Sequence, residues 1–143
     1  MPELGGTRSD HRLAPEWFPV PVPAATSSTA TGINASGDIS GFYTKGGTTR
    51  GFLLKNGVLT SFSVGGSTNT MALGLNNSDV VVGSWAGKGT IVHGFVWSNG
   101  KATTLDDPNG PGATTIQGIN SSGDLVGFYS DSTGNVDGFV ATR

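Results

Sequence analysis

Apolar residues along this chain come in short runs broken by Gly, Asn and Ser, and the runs return in the same order three times. Gly32-Ile33-Asn34-Ala35-Ser36-Gly37-Asp38 reappears as Gly74-Leu75-Asn76-Asn77-Ser78-Asp79 and as Gly118-Ile119-Asn120-Ser121-Ser122-Gly123-Asp124, with Asp79 opposite Gly37 and Gly123. A run with a central glycine and an aromatic follows each copy: Gly41-Phe42-Tyr43, Gly83-Ser84-Trp85 and Gly127-Phe128-Tyr129. Then comes a Gly-Phe pair, at Gly51-Phe52, Gly94-Phe95 and Gly138-Phe139. The period is about 42 to 44 residues, the length of one four-stranded propeller blade.

Four strands are predicted in each repeat. The first covers Thr29–Ile33, Met71–Leu75 and Thr115–Ile119, and the second Asp38–Thr44, Val80–Ala86 and Asp124–Ser130. The third covers Arg50–Lys55, His93–Ser98 and Asp137–Thr142. Asn56-Gly57 and Asn99-Gly100 then favour the positive φ angles of a type I′ hairpin turn. The fourth strand is Val58–Val64 and Ala102–Asp106, but the third repeat stops before it. Trp17-Phe18-Pro19-Val20 aligns with Ser61-Phe62-Ser63-Val64, so the missing strand is expected from the other end of the chain. Nothing has helical spacing over a useful length.

A sheet with one wet face alternates apolar and polar residues. Here Phe52, Leu53 and Leu54 are consecutive, as are Val80, Val81 and Val82, and Phe95, Val96 and Trp97. Apolar residues on both faces require sheets covered on both sides. That favours an all-β propeller with three four-stranded blades per chain over the alternatives, a monomeric β-trefoil or β-prism. A propeller closes with about four to eight blades, so three are expected to be half of a six-bladed ring formed by a homodimer. The domain expected is 17–143, with repeats at about 24–64, 65–107 and 108–143, residues 17–20 completing the last blade either of their own chain or, by strand exchange, of the partner, and 1–16 a flexible arm.

Composition narrows the partners. Glycine, at 24 of 143 residues, is more than double the usual share of about 7 %. Charged residues make up 13 %, the net charge is −2, and the cations are scattered singly. Nucleic-acid binding needs clustered cations to displace counterions, so that partner is excluded. With no cysteine there is no disulfide or Cys-based metal site, and no run approaches the ~18 apolar residues of a membrane helix. Met1 to Glu16 lacks the apolar centre of a signal peptide.

The repeat Gly-Ile-Asn-x-Ser-Gly-Asp-x-x-Gly-Phe-Tyr … Gly-Phe-Leu … Asn-Gly resembles the HAF repeat of predicted extracellular bacterial proteins. At the tripeptide that names that family this chain has Arg50-Gly51-Phe52, His93-Gly94-Phe95 and Asp137-Gly138-Phe139, with glycine for alanine throughout and the histidine only in the second copy. The resemblance implies repeat architecture and a secreted or extracellular location, any leader lying outside this sequence. It implies no particular activity.

Two sets of repeat-equivalent residues are the candidate ligand-binding positions. Tyr43, Trp85 and Tyr129 end the second strands, where an aromatic face can cover the apolar face of a pyranose while its polar tip reaches a hydroxyl. Packing between blades is the structural alternative. Arg50, His93 and Asp137 share one position yet differ in charge, which fits side chains facing a polar ligand; three solvated strand starts are the structural alternative. Asn34, Asn76 and Asn120 match a glycosylation sequon but read more simply as turn formers, with Asp38 and Asp124 bonded to the turn amides. Catalytic, cofactor and metal sites are not expected. Asp131, Asn135 and Asp137 around Gly134 depart from calcium-loop spacing. Asp106 and Asp107, adjacent on a strand, make a poor carboxylate pair for glycoside hydrolysis. The function expected is a lectin-like carbohydrate-binding module. The alternatives are an enzyme with a polar central site and a non-catalytic scaffold.

Overall fold

A computed structural model of the protein describes residues 14–89 and 91–143. They form an all-β structure in which eleven strands make three successive antiparallel meanders. The first contains β1 (Ser27–Ile33), β2 (Ile39–Lys45), β3 (Thr48–Lys55) and β4 (Val58–Phe62), each paired with the next. The second repeats the order with β5 (Asn69–Leu75), β6 (Val81–Ala86), β7 (Val92–Ser98) and β8 (Lys101–Thr104). The third has β9 (Thr114–Ile119), β10 (Leu125–Ser130) and β11 (Val136–Ala141). A single parallel bridge, Thr49 to Asn69, joins the first two meanders into one sheet. Its equivalent, Val92 to Ala113, spans the second and third. Neither sheet closes into the barrel that a trefoil would contain.

Local chemistry accounts for the strand ends. Asn56 and Gly57 take φ of 51° and 76°, and Asn99 and Gly100 take 51° and 82°, the left-handed pair that turns β3 into β4 and β7 into β8. In each meander one residue of the first strand (Thr31, Leu73 or Gln117) is skipped by the ladder. This bulge brings the carbonyl oxygens of Thr29, Met71 and Thr115 onto Gly41, Gly83 and Gly127, where any Cβ would overlap them. The aromatic rings of Phe52, Phe95 and Phe139 press on the same three glycines. The repeated glycines are therefore obligatory within each meander.

The meanders pack face against face in chain order. β5 lies against β1, β2 and β3, and β9 against β5, β6 and β7. Leu53, Phe62 and Val64 of the first meander join Ala72, Val81, Phe95 and Trp97 of the second in one core. The Phe62 and Trp97 rings stack there at 4.5 Å and 9°. A smaller core forms from Val82 with Ile116 and Leu125.

Trp17–Val20 pairs with no strand of its own chain among the described residues. Trp17 and Phe18 stand in solvent at 87 % and 78 % exposure, and the third meander has three strands instead of four. A short segment becomes a strand only where it pairs with a sheet edge, and Trp17–Val20 pairs with none among the described residues. Of the arm expected at 1–16, residues 1–13 lie outside the described ones.

The glycine constraint can be checked by substitution. Gly83→Ala should cost at least about 2 kcal/mol in chemical denaturation, because the intruding methyl meets backbone that cannot yield. Gly65→Ala, with open space around it and no positive φ, should change stability by no more than about 0.5 kcal/mol.

Candidate functional site

The two candidate sets, chosen from different strands, are direct cross-strand partners. Tyr43 faces Arg50, Trp85 faces His93 and Tyr129 faces Asp137. Each pair lies toward the end of its meander that is remote from the Asn turns, beside the fourth strand where there is one. The three pairs therefore occupy three successive meanders, one pair to each, so Arg50, His93 and Asp137 form no compact triad.

Their surroundings differ. Tyr43 is buried, tilted against Phe52, and its hydroxyl lies 2.6 Å from Ser61 Oγ. Arg50 Nε donates to that same oxygen at 2.9 Å. With its face covered, Tyr43 offers no stacking surface. In the second meander Trp85 is half-buried and lies on the His93 ring, centroids 4.6 Å apart. Its indole N–H donates to Thr104 Oγ1 at 3.1 Å. His93 Nδ1 meets Asp106 Oδ2 at 2.8 Å, and Asp106 Oδ1 accepts the Gly94 amide at 3.1 Å. With Nδ1 directed at a carboxylate oxygen, Nδ1 is the donor of that bond and Nε2 is left as the ring's second polar atom. In the third meander Tyr129 tilts against Phe139, while Asp137 is exposed. Partial dehydration, then the charges of Asp137, Asp107 and Asp131, hold the Tyr129 phenol above its ordinary pKa.

Of the six candidates, Trp85 and His93 thus make the one aromatic–polar cluster that combines a partly open ring with ordered polar groups. Asp106 and Thr104 complete it, and sequence reasoning placed neither there. β8 ends at Thr104, so Asp106 and Asp107 are not on a strand as expected. Asp106 orients His93, and Asp107 accepts the Asn109 amide at 2.8 Å to cap a turn. The signal was available in outline, since Asp106 follows the fourth-strand position that pairs with the His93 strand.

The Asn turns proved richer than simple bends. Oδ1 of Asn34 accepts the amides of Ser36 and Asp38, and Asn76 and Asn120 do the same two and four residues on, all at 2.9–3.0 Å. Asp38 and Asp124 were expected to bind those amides. They instead accept the side-chain amides of Asn34 and Asn120, at 3.3 and 3.2 Å. Asp131 builds a similar turn by accepting from Thr133 and Asn135. These donors hold its carboxyl below the ordinary range, the Thr133 hydroxyl most. Its oxygens are thus engaged in a turn, and among the described residues no cluster of His, Asp and Glu could hold a metal ion.

Two clefts flank the second and third meanders. One, of about 400 Å³, is lined by Asn76, Val96, Leu105, Ile119, Ser121 and Arg143 among others. The other, of about 340 Å³, runs under Leu105 to Pro108 and reaches Asp106. None of the six candidates lines either cleft. Compared with protein-family models, curated proteins and solved structures, the chain matches none. The resemblance to HAF repeats rests on the quoted residues alone.

One electrostatic link crosses the first two meanders. Lys55 Nζ lies 2.7 Å from Asp79 Oδ2, and Asn34 Nδ2 donates to Asp79 Oδ1 at 3.0 Å. Burial pushes the Asp79 carboxyl up, but its hydrogen bonds, that from Lys55 the strongest, and the Lys55 charge outweigh this and hold it low. A depressed folded pKa stabilises the fold fully above the unfolded value of about 4 and progressively less as pH falls through the folded one. Acid denaturation followed by circular dichroism should therefore show stability falling below about pH 4, and Lys55→Met should shrink that dependence.

Proposed function

We propose that this chain is a carbohydrate-binding module and that its three meanders are blades of a β-propeller, two chains making a six-bladed homodimeric ring. The observation that carries the ligand reading is the Trp85–His93–Asp106 cluster. A partly open indole supplies an apolar face for a pyranose. His93 Nε2 and the Thr104 hydroxyl stand beside it as hydrogen-bonding groups, their orientation set by Asp106 and the indole N–H. Because Tyr43 is covered and the third meander has no fourth strand to give Tyr129 counterparts of Thr104 and Asp106, the site is one per chain instead of three, and a ring of two chains would carry two. Two weak sites on one rigid body favour multivalent glycans by effective concentration.

The ring reading is supported by face-to-face packing of successive meanders and by arithmetic, since six is the one multiple of three within the four to eight blades that close a propeller. The HAF-like repeats support a secreted or extracellular location. An enzyme with Arg50, His93 and Asp137 around a central site is poorly supported, because those residues lie on three different meanders. A scaffold role would draw on the exposed apolar residues Ile33, Val126 and Val140.

On a glycan array the protein should bind a subset of neutral or acidic sugars, and calorimetry with the best of them should show Trp85→Ala weakening binding at least about tenfold, from the loss of ring stacking and burial. Silence across the array, or release of a cleaved sugar, would reject the reading in favour of a scaffold or an enzyme respectively. Light scattering at micromolar concentration should give twice 14.5 kDa.

A further inference from the structure

The two junctions between meanders are built from the same contacts, one repeat apart. Asn34 Nδ2 donates to the Asn76 carbonyl at 3.1 Å, and Asn76 Nδ2 donates to the Asn120 carbonyl at 3.0 Å. At the other end of the sheets the Thr49 amide donates to the Thr68 carbonyl and the Val92 amide to the Gly112 carbonyl. Between these points a residue of the following meander closes onto a glycine of the one before. Leu75 and Gly74 abut Gly32, and Gln117 and Gly118 abut Gly74.

At the two ends of the stack each contact is left half made. Among the described residues, Asn120 Nδ2 finds only Asp124 of its own turn. Gly118 meets nothing beyond Val126 of its own sheet. Val126 and Val140 beside it are 49 % and 66 % exposed, whereas their counterparts Ser40 and Leu53 are buried. The first meander holds the complement. Ile33, the counterpart of Leu75, is 71 % exposed, in a shallow groove with Ala30 and Ile39. The third meander also has a free edge. Gly51 is covered by the Phe62 ring and Gly94 by Ile116, yet Gly138, their counterpart, has only the Gly127 carbonyl within 4 Å. In the alignment of repeats Phe18 is the counterpart of Phe62.

We infer that the third meander is a docking site for a second copy of this chain, whose Ile33 face covers Gly118 and Val126 and whose Trp17–Val20 adds to β11 as its missing strand. The inference rests on the ring reading above and names how the ring closes. Asn120 Nδ2 donates to the Asn34 carbonyl of the second copy, and the Val136 amide to that of Thr26. Phe18 lies over Gly138, in the register of Phe62 on Gly51. The connectors agree: Phe62 to Asn69, Leu105 to Ala113 and Phe18 to Ser27 are of similar length. Each would carry the chain from the outer strand of one meander to the inner strand of the next.

The occupant is a second copy because the chain's own segment falls short. The Thr26 amide is tied to the Thr44 carbonyl, and Val20 to Thr26 spans at most roughly 20 Å. The chain's own third meander lies beyond the second, two sheet spacings or about 20 Å away before the width of a sheet is crossed.

The chain has no cysteine, so a disulfide trap has no background. Full-length protein carrying Phe18→Cys and Gly138→Cys, oxidised at micromolar concentration, should run as a covalent dimer on a denaturing gel. If the unsubstituted protein is a dimer but the trap closes within one chain, or does not close, strand exchange is wrong and the ring reading survives. If the unsubstituted protein scatters light as a monomer, both fall. Asn120→Asp keeps the oxygen that holds its own turn and removes the donor, so it should weaken dimerisation by about tenfold at each of the two closures. Unchanged dimer affinity in that variant would overturn the amide contact.

Discussion

The constraint on which the rest depends is that a sheet apolar on both faces must be covered on both. In the middle meander it is met: Val81, Val82 and Phe95 have no measurable exposure, and Asn76 is buried. The flanking meanders carry the same pattern but have one neighbour each. At one repeat-equivalent position the side chain is buried in the first meander, half-buried in the second and exposed in the third, as Leu53, Val96 and Val140 show in chain order. The gradient follows position in the stack and not the side chain, since Leu53 and Val140 are both aliphatic. At ~25 cal/mol per Å² of apolar surface, leaving such faces in water forfeits much of the stabilisation that burial gives the central sheet.

Strands, turns and repeat length were legible because they are local. An Asn-Gly dipeptide sets its own φ angles, and three copies of one pattern average out the ambiguity of any single copy. The bulges at Thr31, Leu73 and Gln117 were not legible, since a bulge belongs to a ladder and leaves no mark in composition. Nor was the pairing of Tyr43 with Arg50 and of Trp85 with His93, which depends on register across a two-residue or longer hairpin. The absence of a strand at Trp17–Val20 has the same origin. Its sequence is strand-like, but a strand exists only where an edge accepts it.

The candidate site was half legible. Repeat equivalence led to Trp85 and His93, and the same equivalence misled at Tyr43, because a shared position does not imply a shared neighbour. Ser61 takes both Arg50 and the Tyr43 hydroxyl and draws the ring inward. Thr104 takes only the indole N–H, leaving part of the larger ring outside. Divergence at the Arg50, His93 and Asp137 position therefore follows the fourth-strand partner. Where Asp106 is available a histidine is held; where no fourth strand pairs, Asp137 remains in water.

The three asparagines combine what no other residue type would. A turn former needs only an acceptor two residues before the amides it holds, and aspartate supplies that, as Asp131 does in the β10–β11 turn. At Asn34 and Asn76 the same side chain must also donate to a carbonyl in the next meander, and a carboxylate cannot. The Asx turn is thus local information while the choice of Asn over Asp is information about the neighbour. Asn120 uses its amide within its own turn, on Asp124, where an aspartate would set two carboxylates against each other. Among the described residues no carbonyl of another meander accepts from Asn120, so the chain of amide-to-carbonyl contacts that runs from Asn34 through Asn76 stops at the third meander, where Asp124 of the same turn takes the amide instead.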